Sequence, residues 1–183
     1  MNDRPQRADA QRNRDHLLEV AVQAFTSGGA EVSLEAIAKQ AGVGIGTLYR
    51  HFPTRNALVE AVYRNEITRV SALAEELLKV EQPEPALREW MKRFVAFMTT
   101  KHGMADVFRA VTASGGNPYG ETRALALDAV GTLVAAGAAS GTIRDDIDPL
   151  DILTILNGLS FATDDPAQTN RLLDLIMDGL RTS

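Results

Sequence analysis

Apolar residues recur along this chain every three or four positions, and no stretch alternates as a half-buried strand would. That spacing covers one face of an α-helix, so the pattern predicts an all-α protein. Leu17, Val20, Ala21, Ala24 and Phe25 mark a first helix over about residues 9–27, ended by Gly28-Gly29, one of which suits the left-handed C-cap position. Leu34, Ile37, Ala38 and Ala41 mark a second helix, whose start Ser33 can cap by accepting a backbone N–H. Gly42 breaks it, Val43 offers an apolar side chain to the turn, and Ile45, Leu48, Tyr49 and Phe52 form a third stripe that runs to Pro53. Two short helices about a glycine turn are the pattern of a helix-turn-helix; with the first helix they predict a three-helix head around one small core. In that motif the second helix enters the DNA major groove, which is about as wide as a helix with its side chains.

Downstream, Thr54 is the expected N-cap of a long helix reaching about residue 80, or ~40 Å at 1.5 Å per residue. Leu58, Val62 and Tyr63 would face the head, while Ile67, Val70, Leu73, Leu77 and Leu78 lie further along. A rod shared by two modules is a physical route for coupling. Pro83 and Pro85 separate it from a helix over residues 86–101 with the stripe Leu87, Trp90, Met91, Phe94, Phe97 and Met98. Met104, Val107, Phe108 and Val111 predict a short helix, and an Ala-rich one follows over about residues 119–140. Asp148-Pro149 and Asp165-Pro166 each read as an acidic N-cap with Pro at N1, opening helices over about 149–162 and 166–181. The natural division is 1–55, an arm and DNA-binding head, and 56–183, a ligand-binding and dimerisation bundle.

The last two helices are the apolar end of the chain. Leu172, Leu173, Ile176, Met177 and Leu180 run along one side of the last helix, while Leu150, Ile152, Leu153, Ile155, Leu156 and Leu159 on its neighbour form a stripe too broad for one contact, which must bury more than one face. One face is expected on the chain's own bundle and the other on a second subunit, as a four-helix interface about a two-fold axis.

The segment AIAKQAGVGIGTLYRHFPTR, residues 36–55, resembles the recognition segment of the TetR/AcrR family of transcriptional regulators. The likeness rests on an apolar helix, Ala-Gly-Val, a Gly two residues before Leu-Tyr, then His-Phe-Pro and a basic residue. It is sharp over about residues 14–63; beyond that it rests on length and helix layout. The family often has Ser or Ala and then a polar residue where Gly44 and Ile45 stand. The resemblance implies a homodimeric regulator, repressing until a ligand binds. Its palindromic operator lies under the head, and a small apolar or amphipathic effector in the bundle. It also implies that Tyr49, His51 and Arg55 contact phosphate. Thr47 is a candidate for base or phosphate, Gly46 would let the backbone approach DNA closely, and Lys39 adds charge. Ser33, Gly44 and Ile45 complete the DNA-contacting set. Tyr49 also reads as a core aromatic.

Net charge is −5, which would argue against nucleic acid were it evenly spread. Residues 1–55 carry seven Lys+Arg and six Asp+Glu, so the acidic excess lies outside the head, and generic phosphate attraction is modest. Arg4, Arg7, Arg12 and Arg14 read either as a basic minor-groove arm or as a mobile tail, with residues 1–10 disordered. No cysteine is present, which excludes disulfides, thiolate zinc and a Cys nucleophile. Residues 1–14 lack the apolar core of a signal peptide, and no run of about 18 apolar residues suggests a membrane span. A cytoplasmic protein without a membrane partner is expected.

In the bundle, Trp90, Met91, Phe94, Phe97, Met98, Met104 and Phe108 read as an ordinary core or as the lining of a pocket between helices. His102, Tyr119 and Asn157 are candidate polar contacts there. His16, His51 and His102 are the three histidines, none in a metal-ligand spacing. Asp145-Asp146 and Asp164-Asp165 look like loop and capping acids. No metal, cofactor or enzymatic activity is expected. Two rival readings stay open: a DNA-binding regulator without a small-molecule effector, and a helical binding protein or enzyme whose helix-turn-helix is incidental.

Overall fold

The structure, a computed structural model, describes residues 4–115 and 122–182. Its helices are α1 (Arg4–Gly28), a 3-10 turn (Gly29–Glu31), α2 (Leu34–Gln40), α3 (Ile45–His51), α4 (Arg55–Val80), α5 (Pro83–Gly103), α6 (Ala105–Ala113), α7 (Thr122–Ala139), α8 (Pro149–Ala162) and α9 (Pro166–Leu180). Among the described residues there is no strand, and one isolated antiparallel bridge pairs Ile143 with Arg181. The all-α expectation is met.

Two boundaries differ from the periodicity. Helix α1 starts at Arg4, within the segment expected to be disordered, because Arg, Gln and Ala are good helix formers and Pro5 suits a first turn. Likewise α5 starts at Pro83, since the two prolines fall in the first turn, where an N–H has no intrahelical acceptor and its loss breaks no bond. Residues 119–121, expected to open α7, lie outside the described residues.

Contacts divide the chain into two compact units, Met1–Asn65 with Gly103–Tyr119 and Glu66–His102 with Gly120–Ser183. The boundary falls after Asn65 rather than after Arg55, because the first turns of α4 belong to the head: Leu58, Val59, Val62 and Tyr63 are buried there. Helix α6 joins the same unit, packing on the 3-10 turn and setting Phe108 edge-on to Tyr63 at 5.5 Å between ring centroids.

In the first unit α2 packs on both α1 and α3. Leu17, Leu18, Ala21, Phe25, Ile37 and Leu48 are fully excluded from solvent. The Ser33 hydroxyl accepts from the Ala36 amide at 3.1 Å, capping α2 as expected. At its other end Gly42 has φ +69°, the Gly42 amide donates to the Lys39 carbonyl (3.2 Å) and the Val43 amide to the Ala38 carbonyl (3.0 Å). These are the two bonds of a Schellman motif, and they turn the chain from α2 into α3.

In the second unit the Trp90 indole donates to the Val70 carbonyl at 2.8 Å and stacks on Phe94 at 5.3 Å. Helix α7 packs on α8. By length and composition α7 would suffice to cross a membrane, but its Ala126, Ala129, Val130, Leu133 and Val134 are buried in this unit. Asp148 caps α8 through the Leu150 amide (2.8 Å), and Asp165 caps α9 through Ala167 (3.0 Å) and Gln168 (3.2 Å). Arg88 ties α5 to α9, donating to Asp174 at 2.8 Å and to the Asn170 carbonyl at 3.2 Å.

The turn at Gly42 gives a direct test. A built Cβ meets no atom within 4 Å, so Gly42→Ala carries only the backbone cost of a left-handed residue, roughly 1–2 kcal/mol. Gly42→Asn should cost less, because Asn tolerates that region. Urea denaturation of the three proteins measures both, and an unchanged midpoint for Gly42→Ala would contradict this account of the turn.

Candidate nucleic-acid interface

Helix α3 turns one side inward and the other to solvent. Leu48 is fully buried and Phe52, its C-cap, nearly so. Successive residues advance by about 100°, so Gly46 and Arg50 stand opposite Leu48 and Phe52, while Ile45 and Tyr49 lie at the edges of the inward stripe. Ile45 is 37% exposed and Tyr49 43%, so Tyr49 is not a core aromatic. Thr47 and His51 flank this face half-buried, and Gly44, Gly46 and Arg50 are exposed. A Cβ built on Gly44 or Gly46 meets nothing within 4 Å, so the protein itself leaves room for a side chain at both. Lys39 is exposed on α2.

Other residues of the expected set have different surroundings. The Ser33 hydroxyl is occupied as the cap of α2. Arg55 donates to the carbonyls of Val32 and Ala30, the latter at 2.7 Å, with its guanidinium carbon 5.0 Å from the centre of the Phe25 ring. Burial lowers its pKa, against the Glu31 carboxylate, which raises it. Arg14, read as part of either a basic arm or a mobile tail, lies over the Phe52 ring at 5.4 Å. Arg50 is outside the expected set yet stands on the exposed face beside Tyr49. Its signal is present in the sequence as a cation two residues past the inward-facing Leu48.

The bundle candidates are divided. Trp90, Met91, Phe94, Phe97 and Met98 are buried in the second unit, whereas Met104 and Phe108 are buried in the first. Phe97 also lines an open groove of about 640 Å³ between α4 and α5, with Val70, Leu73 and Leu77. Its rim carries the pairs Arg69–Glu66 (3.3 Å) and Arg93–Glu89 (2.7 Å). The Asn157 amide donates back to the Leu153 carbonyl at 2.8 Å. His102 stacks on Phe161 at 3.6 Å and places Nδ1 3.1 Å from the Ser160 carbonyl. Tyr119 lies outside the described residues.

The broad stripes of α8 and α9 resolve into two sides. Ile152, Leu156, Leu159, Leu173, Met177 and Leu180 are buried within their own unit. Ile155 is 49% exposed, and Leu172 and Ile176 are half-buried. Phe161 (74% exposed) and Leu175 (65%) extend the outward side and were not in the expected set. Phe161 stands six positions after Ile155, about 120° round the helix, so helical spacing does not mark it.

Comparison with known proteins gives consistent matches. The family model for bacterial regulatory proteins, tetR family, matches residues 17–62. The model for the C-terminal domain of SbtR-like transcriptional regulators matches residues 82–182. HTH-type transcriptional regulators of Staphylococcus aureus are 40% identical over 62 residues, 33% of this chain and 34% of theirs, so the match spans about a third of those curated relatives. A crystal structure of a TetR transcriptional regulator from Streptomyces coelicolor is 49% identical, covering 93% of this chain and 99% of that one at a TM-score of 0.87. A TetR transcription regulatory protein from Mycobacterium vanbaalenii is 37% identical, covering 97% of this chain and 100% of that one at a TM-score of 0.81.

The surroundings of His102 set a pH dependence. Burial lowers its pKa; the Ser160 carbonyl and Asp164 act upward and Lys101 downward. The unfolded chain therefore takes up the proton first, and stability falls as pH drops below about 6.5. Melting temperatures between pH 7.5 and 5.5 should decline in the wild type and decline less in His102→Gln. Identical slopes in the two proteins would overturn this assignment.

Proposed function

We propose, because this chain belongs to the TetR family of transcriptional regulators, that it binds a palindromic operator as a homodimer and represses transcription until a small molecule lowers that affinity. The observation that carries the reading is the outward side of α3. A short helix holds Leu48 in the core and turns Tyr49, Arg50 and a glycine without neighbours to solvent. Exposed glycine inside a helix lowers stability, so its use there favours close approach to a partner backbone. We assign Gly44, Ile45, Gly46 and Thr47 to the groove floor. Tyr49 and His51 go to phosphate oxygens, and Lys39 and Arg50 supply charge beside them. Ser33 contributes by holding the start of α2. The protein acts where the DNA is, in the cytoplasm, as a binding protein and not as an enzyme.

Two recognition helices must meet successive major grooves, about one DNA turn or ~34–36 Å apart, which requires a second copy. The outward side of α8 and α9, with Ile155, Phe161, Leu172, Leu175 and Ile176, is the surface we assign to it. For the effector we assign the aromatic row Trp90, Phe94 and Phe97. Its rings follow at 5.3 and 6.1 Å, and its last member opens on the α4–α5 groove. An apolar or amphipathic molecule matches that lining.

Two substitutions separate these parts. Gly46→Ala should raise stability by ~0.5–1 kcal/mol as a helix substitution and still weaken operator binding, because the added methyl stands between backbone and DNA. Denaturation and fluorescence anisotropy on the same sample read both, and undiminished binding would remove Gly46 from the interface. Ile155→Glu with Leu175→Glu should yield a folded monomer with little specific binding, measured by sedimentation. A variant that stays dimeric would place the subunit contact elsewhere.

A further inference from the structure

Three consecutive residues at the start of α4 each hold a different part of the head. The Thr54 hydroxyl accepts from the Ala57 amide at 3.0 Å and caps the helix. The Asn56 amide donates to the Ser114 hydroxyl, just past α6, at 2.7 Å. Between them, Arg55 reaches the turn that joins α1 to α2. That turn is tight: Gly29 has φ +62°, and a Cβ on Gly28 would come within 2.3 Å of Val32 Cγ2. Folded this way, the chain brings the carbonyls of Ala30 and Val32 to one guanidinium, whose carbon lies over the fully buried Phe25 ring.

We propose that Arg55 is a positioning residue: it fixes α2 and α3 against α4 through the Ala30 and Val32 carbonyls, and governs DNA affinity by that placement, not by neutralising a phosphate. The chemistry suits arginine alone. Its planar fork serves two carbonyl acceptors while its face stacks on an aromatic ring, whereas a lysine ammonium offers one point charge and no plane. Val32 directly precedes Ser33, the cap of α2, so a shift of this turn moves the start of α2 and, through the Gly42 turn, α3 as well.

The inference rests on the DNA-binding reading, and its test separates the two. Wild-type protein selects a duplex from a random-sequence library; Arg55→Lys and Arg55→Gln are then compared on that duplex across salt concentrations, well below their melting temperatures. Positioning predicts that both variants bind more weakly by a similar factor, on the order of tenfold for loss of charged hydrogen bonds, with the wild-type salt slope. It also predicts faster amide exchange at residues 29–33 and unchanged exchange in α7–α9. If Lys retains affinity while Gln loses both affinity and about 0.9 of slope, Arg55 is a phosphate contact and the proposal is overturned. If both variants melt earlier yet bind as wild type, the residue is merely structural and the proposal again fails. If wild-type protein enriches no sequence, the DNA-binding reading itself falls and takes this inference with it.

Discussion

A seven-residue helix cannot hold itself together. Fixing the first turn costs more than its hydrogen bonds return, and isolated helices shorter than about 12 residues are marginal in water. Helix α3 therefore exists because Leu48 and Phe52 are buried in the core of the head. Everything the head offers follows from that constraint. Two inward residues set the rotation of the helix, and the rotation decides that Gly46 and Arg50 face out, with Ile45 and Tyr49 exposed at the edges of the inward stripe. The bonds at the Gly42 turn set the angle at which α3 leaves α2. Buried and exposed sides thus share the same two turns of helix, and the exposed one is the side proposed to meet DNA.

The second unit divides its apolar surface in a similar way. Leu156, Leu173 and Met177 are fully used inside their own bundle, while Ile155, Phe161 and Leu175 are left in water. Large apolar side chains left exposed suit a partner surface, and a second copy supplies one of matching chemistry. The interior around Trp90 is closely held, with its indole N–H satisfied and Phe94 stacked on it. An effector seated along that aromatic row would work by moving packed rings, which shift between discrete arrangements and do not deform gradually.

Much of this was legible in the residues. Helix starts followed from their caps: Ser33, Asp148-Pro149 and Asp165-Pro166 all do in the structure what their chemistry predicts. The fold followed from spacing. What spacing does not carry is which neighbour a buried stripe meets. Met104 and Phe108 read as part of one cluster with Trp90, yet they are buried in the other unit, because apolarity fixes burial and not address. The broad stripe of α8 shows two faces but not which one turns inward, and Leu156 and Ile155 differ by a single position. Arg55 shows the same limit for charge, since backbone carbonyls and phosphate oxygens are equally good acceptors for a guanidinium. Only the folded chain places Ala30 and Val32 beside it.

The central claim is that the outward side of α3 is the surface that meets DNA. Amide and side-chain NMR shifts of the full chain, titrated with the duplex that it selects from a random library, test this most directly. The account predicts the largest changes at residues 44–51, with Gly46, Tyr49 and Arg50 foremost, and small ones at Leu48 and in α9. Changes centred on α8 and α9, or on the α4–α5 groove, with α3 unmoved, would contradict it.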